Sequence, residues 1–126
     1  MTDANRVPPF DRQFPFQRLD VYGAARSLAE QVHRLAIRDA ELRDQATRAA
    51  KSVFLNLCEG LPDDRPAMRR KYFASADGSL HETAGAVDLA AAIGAVDAAR
   101  ADEVLALAVR VRAMLRGLMR AGDRGR

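Results

Sequence analysis

The sequence predicts an all-α protein built as an up-and-down antiparallel four-helix bundle, and three observations carry that prediction. Apolar residues recur at steps of three and four in four segments of the 126-residue chain. The breaks between these segments carry Gly, Pro and Asp where helices stop and start. No stretch alternates apolar and polar residues with period two, and no Asn-Gly hairpin signal occurs, so no sheet is expected. Helices joined by short loops lie antiparallel to their neighbours, which gives the bundle its topology.

The spacing divides the chain into an extended N-terminal arm at 1–17, the bundle at 18–121 and a frayed tail at 122–126. The arm carries Pro8, Pro9 and Pro15 and has no helical period. Phe10, Phe14 and Phe16 place three of the chain's aromatics on it, so it is expected to dock on an apolar surface of the bundle or of a neighbouring subunit. From Asp20, the steps Tyr22, Ala25, Ala29, Val32 and Leu35 or Ala36 draw helix one, which should end near Ile37. Asp39 is the expected N-cap of helix two, which starts at Ala40 and runs to Glu59; Gly60 supplies the stop and Pro62 prevents continuation. Asp63 or Asp64 should cap helix three, with Pro66 in its first turn. Met68, Tyr72, Ala76, Leu80, Val87 and Ala90 carry it to Ile93, and Gly94 ends it. Asp97 caps helix four, whose Val104, Leu107, Ala108, Val111, Met114, Leu115, Leu118 and Met119 form the clearest stripe; Gly122 should close it.

Composition narrows the classes of function. No apolar run approaches the roughly 20 residues of a membrane span. The first fifteen residues lack the basic start, apolar stretch and cleavage site of a secretory leader, so a cytoplasmic protein without membrane contact is expected. Cys58 is the single cysteine, which excludes an intramolecular disulfide and a cysteine-rich metal site. Net charge is +3, but Lys51 and Lys71 are the only lysines among 20 basic residues. Arginine offers a planar fork suited to phosphate and carboxylate, although the same bias, like the run Ala90, Ala91, Ala92, also follows from GC-rich coding.

Projected at about 100° per residue, helix two places Arg43, Asp44, Thr47 and Lys51 on one arc and Gln45, Ala49, Ser52 and Asn56 on the other, with Glu59 beside them. Polar groups therefore fall where core is expected. On helix three, Ser79 and Thr83 fall on the core stripe and Glu82 lies at its edge. Buried polar groups are costly unless paired, so a structural network of hydrogen bonds across the two helices is expected, with Arg48 and Glu82 or Glu59 as an ion pair at its margin. His33 and His81 are isolated from each other and from any nucleophile, so no catalytic site, metal or cofactor is expected. Gly78 and Gly85 lie on the side of helix three away from its core stripe, next to Leu89, each costing roughly 1 kcal/mol relative to Ala. Their placement suggests close approach of another subunit's backbone there.

The motif Gln45, Arg48, Ala49, Ser52, Asn56, Glu59, Gly60 in QATRAAKSVFLNLCEG, followed by Tyr72, Ala76, Gly78, Ser79 and Glu82 in KYFASADGSLHE, resembles the two signatures of the 23S ribosomal RNA intervening-sequence four-helix bundle proteins. The opening FQRLDVYGAARSLAEQV is similar to that family's first helix, and order and spacing hold from residue 16 to about 120. The resemblance implies a four-helix bundle. Through related accessory proteins of diversity-generating retroelements, it also implies a ring-like homopentamer that binds RNA or DNA and a reverse transcriptase.

No acid lies between Glu103 and Asp123, where Arg110, Arg112, Arg116 and Arg120 accumulate. Arg112, Arg116 and Arg120 recur every four residues and should form one ridge on the outward side of helix four, which Arg26, Arg34 and Arg38 of helix one could extend. Basic residues near a helix C-terminus also complement its dipole. The resemblance and this ridge together support a non-catalytic, homo-oligomeric adaptor that engages RNA or DNA weakly through arginines, with a protein-protein scaffold that has no nucleic-acid role as the alternative.

Overall fold

A computed structural model describes residues 14, 15 and 19–124. Four helices follow in order: α1 Asp20–Arg34, α2 Ala40–Gly60, α3 Pro66–Ala92 and α4 Ala98–Arg124. Among the described residues there is no strand. The main contacts join α1 to α2, α2 to α3, α3 to α4 and α4 back to α1, which closes the four into a bundle around one core. The expected arm falls outside the described residues apart from Phe14 and Pro15.

The helix ends have separate local causes. Asp39 caps α2, its Oδ1 accepting from Leu42 N–H at 3.0 Å. Asp97 caps α4 in the same way, Oδ2 accepting from Arg100 N–H at 3.0 Å. Gly94 takes a left-handed φ of 74° after α3. There its N–H reaches Ala91 O at 3.1 Å while Ala95 N–H reaches Ala90 O at 2.8 Å, satisfying two of the last carbonyls.

Four expected boundaries differ. α1 ends at Arg34 rather than near Ile37, because the chain turns at Ala36, whose φ is 52°. That turn lets Leu35 and Ile37 both point into the core, at 3% and 1% exposure. Neither Asp63 nor Asp64 caps α3. Arg65 holds the N-cap position without a side-chain bond, and Asp63 instead accepts from Arg65 N–H at 2.9 Å and from its guanidinium at 3.0 and 2.7 Å. These bonds hold the Asp63 carboxyl down to about 2. Gly122 does not close α4, which continues to Arg124. Gly60 is the last residue of α2 without a left-handed φ, so its role is a different one: a Cβ there would lie 2.9 Å from the Phe73 ring and 3.0 Å from Tyr72 Cβ.

Small residues set the closest seam of the bundle. Ala46, Ala49 and Ala50 of α2 and Ala76 and Ala86 of α3 are all buried. Beneath them Phe73, Leu57, Val53, Leu28 and Leu115 fill the interior, and Tyr22 meets Phe54 with ring centroids 5.2 Å apart. The left-handed turn at Ala36 is the chain's one described non-glycine strain. Relief of about 1–2 kcal/mol, less the entropy glycine adds to the unfolded chain, makes Ala36→Gly stabilising by about 0.5 kcal/mol, read as a rise in urea midpoint.

Candidate functional site

Burial of Val104, Leu107, Ala108, Val111 and Leu115 fixes the rotation of α4 about its axis. At about 100° per residue, Arg112, Arg116 and Arg120 then follow one another on the flank turned toward α3. Cross-helix neighbours agree: Arg112 lines a groove of about 140 Å³ with Leu80, His81 and Ala84, and Arg116 Nη2 stands 3.7 Å from Asp77 Oδ2. The three arginines are exposed, with about 6 Å of helix rise between neighbours. The ridge thus exists but leans over the α3–α4 seam rather than pointing straight outward.

Three α3 residues on this face, Asp77, His81 and Arg70, were given no place at the ridge by sequence. Asp77 has its Oδ1 buried with no hydrogen-bond partner. His81 Nδ1 lies 2.8 Å from Asp77 O; a carbonyl only accepts, so this nitrogen carries the proton and donates. Arg70 is exposed at the end of the same face, lining a cleft of about 310 Å³ with Leu118, Met119 and Gly122. Its neighbour Arg69 is committed to structure. Arg69 Nη1 donates to Gly60 O at 3.1 Å and Leu61 O at 2.6 Å, capping α2, and the guanidinium stands 4.9 Å from the Phe73 ring centroid. The signal for Asp77, His81 and Arg70 is a seven-plus-four spacing on one α3 face, which acquires meaning only once the register of α3 against α4 is known.

The other arginines that the sequence set beside the ridge, Arg110, Arg26, Arg34 and Arg38, do not line up with it. Arg110 lies about 200° around the axis from Arg112, toward the α1 side. Arg34 is paired with Glu30 at 3.2 Å. Arg26 is exposed on α1. Arg38 is drawn to the loop after α3, its Nη2 donating to Gly94 O at 2.6 Å and its N–H to Ala95 O at 2.8 Å. Arg100 Nη2 likewise donates to Arg34 O at 2.6 Å. These last contacts clamp the two loops at the opposite end of the bundle, so the expected extension of the patch over helix one is not built as a continuous surface.

The polar stripe of α2 is also displaced from expectation. The core arc belongs to Ala46, Ala49, Ala50, Val53 and Leu57. Gln45, Arg48, Glu59 and Glu82 are exposed, and Ser52, Asn56 and Ser79 are half-buried along the α2–α3 seam. A compact network survives within that stripe. Ser52 Oγ meets Ser79 Oγ at 2.7 Å, Asn56 Nδ2 donates to Ser52 O at 2.9 Å and to Ser52 Oγ at 3.1 Å, and Thr83 Oγ1 donates to Ser79 O at 2.8 Å. Thr83 is fully buried. Among the described residues no ion pair joins Arg48 to Glu82 or Glu59. Arg48 and Ser52 instead line two adjoining clefts of about 290 and 350 Å³, which Glu82 and Glu59 border respectively. Carboxylates on both sides make this furrow a poor seat for a polyanion.

Gly78, Gly85 and Leu89 are exposed on the outer face of α3, and a Cβ at either glycine would meet nothing within 4 Å. Burial, with Glu59 adding to it, pushes the Cys58 thiol up, which disfavours the thiolate. Among the described residues no group of three or more His, Cys, Asp or Glu side chains converges. None of the helices is long and apolar enough to cross a membrane, again among those residues.

A comparison with curated proteins found no match. Among models of protein families, that of the 23S rRNA-intervening sequence protein matches residues 17–117, a span that takes in the α2–α3 motif network and the ridge up to Arg116. The matched span holds α1 to α3 and most of α4, and the chain belongs to the 23S rRNA-intervening sequence protein family.

Proposed function

We propose that this protein is a non-catalytic, homo-oligomeric adaptor that binds RNA or DNA through the arginine ridge of α4. The observation that carries the reading is the alignment of Arg112, Arg116 and Arg120 on one exposed flank, about 12 Å long. A duplex presents a phosphate every 3.4 Å along each strand, so such a ridge spans about three to four phosphates of one strand. The family's connection with ribosomal RNA makes structured RNA the first ligand to test.

The homo-oligomeric part is supported by Gly78 and Gly85, which the subunit's own packing does not require and which leave α3 bare for another backbone. Repetition of the ridge around a symmetry axis would sum a modest field per subunit. The non-catalytic part is supported by Cys58, whose burial disfavours the nucleophilic thiolate.

Three phosphate contacts give an expected slope of log K against log salt of about −2.7 on a duplex and about −2 on a single strand. Affinity for a fluorescent RNA hairpin, followed by anisotropy, should therefore fall about 40-fold between about 50 and 200 mM salt. A salt-independent affinity, or no binding at the lower salt, would refute the reading.

A further inference from the structure

We propose that Asp77 is a built-in competitor of the ridge: its carboxylate occupies Arg116 in the free protein and is displaced by phosphate, so that Asp77 sets how tightly the ridge binds. This rests on the reading of the ridge as a nucleic-acid surface.

The acids of this chain that serve the fold accept hydrogen bonds. Asp39 and Asp97 cap helices at 3.0 Å, and Asp63 takes the Arg65 fork at 2.7 and 3.0 Å. Asp77 differs. Its side chain is 19% exposed, yet Oδ1 is buried without a donor, and its nearest basic neighbours, His81 and Arg116, stand too far for hydrogen bonds. His81 Nδ1 is 3.8 Å from Oδ1 and already donates to the Asp77 carbonyl; Arg116 Nη2 is 3.7 Å from Oδ2. A half-buried carboxylate held this loosely loses solvation and gains little in return, so a neutral side chain would serve the helix interface as well.

What its charge does is act on the ridge. Asp77 faces Arg116, the middle arginine of the three, and lowers the local potential where a strand would lie. A phosphate offers Arg116 charge-assisted bonds of about 2.7–2.9 Å, stronger than a 3.7 Å contact, and so displaces the carboxylate. The exchange is favoured when Arg112 and Arg120 have already engaged the same strand. Closely spaced phosphates therefore open the site, whereas an isolated anion competes with Asp77 alone.

The test is anisotropy with the RNA hairpin on the full chain, comparing wild type, Asp77→Asn, Arg116→Ala and the double variant at the two salt concentrations, with circular dichroism verifying the fold. Asp77→Asn should tighten binding about fivefold at low salt and steepen the slope by up to about 0.9, the equivalent of one further phosphate. In the Arg116→Ala background the gain should shrink to about twofold or less. Asp77→Ala should repeat the gain, which covers a misplaced Asn amide. Salt-dependent binding by wild type with no tightening in Asp77→Asn and Asp77→Ala overturns this inference and leaves the ridge reading standing, as does an undiminished gain without Arg116. Absence of binding by wild type at the lower salt overturns the two together.

Discussion

Replacing Arg112, Arg116 and Arg120 together by alanine is expected to weaken binding to structured RNA about a hundredfold at about 50 mM salt and to remove most of its salt dependence. Each charge-assisted contact to phosphate contributes about 1 kcal/mol net, a factor of about five, and the three act on one strand. The residues are exposed and stand clear of the core stripe of Val104, Val111 and Leu115, so the variant should fold. Substitution of Arg26, Arg34 and Arg110 is the matched control. These remove the same formal charge, but Arg110 lies on the far side of α4 and Arg34 is paired with Glu30, so a loss of about twofold is expected, the share due to net charge alone.

Gly60→Val is expected to destabilise the fold by about 3 kcal/mol, and Gly60→Ala by about 1–2 kcal/mol, measured by urea denaturation. The glycine closes the first motif, and the structure gives the reason. Its Cα abuts α3 where a Cβ would come to 2.9 Å from Phe73 Cε1 and 3.0 Å from both Phe73 Cδ1 and Tyr72 Cβ. The Phe73 ring is 2% exposed and cannot swing away, and Tyr72 Cβ is tied to the backbone. Alanine would reduce unfolded-chain entropy and so recover part of the cost; a branched side chain adds further atoms to the same contact. Gly78→Ala, where the added Cβ meets nothing within 4 Å of the subunit, should lack this penalty and so serves as the comparison.

Much of the bundle was legible because its punctuation is chemical. Asp39 and Asp97 cap as their positions predict, Pro66 opens α3, and Gly94 supplies the left-handed residue at its end. The apolar stripe of α4 gives the rotation that places the ridge. The end of α1 was not legible, since Ala36 is a residue type that rarely adopts a positive φ and Leu35 and Ile37 read as one more helical turn. Phase failed on α2 for a different reason. Ala46 and Ala50 are weak markers of a core, so the motif residues Gln45, Ser52 and Asn56 were assigned the buried arc with Ala49, when Gln45 is exposed and Ser52 and Asn56 lie at the seam with α3. Periodicity fixes which residues share a helix face, but the angle of that face depends on neighbours. For the site, spacing alone revealed the arginine ridge. Asp77 opposite Arg116 required the register of α3 against α4, which no local pattern encodes.

The most direct test of the central claim is to titrate the labelled RNA hairpin side by side with wild type, the Arg112/Arg116/Arg120 variant and the Arg26/Arg34/Arg110 variant at about 50 and 200 mM salt. The account predicts a steep salt slope for wild type and for the control, and a weak, nearly flat one for the ridge variant. Equal losses in the two variants, or retained binding without the ridge, would contradict it.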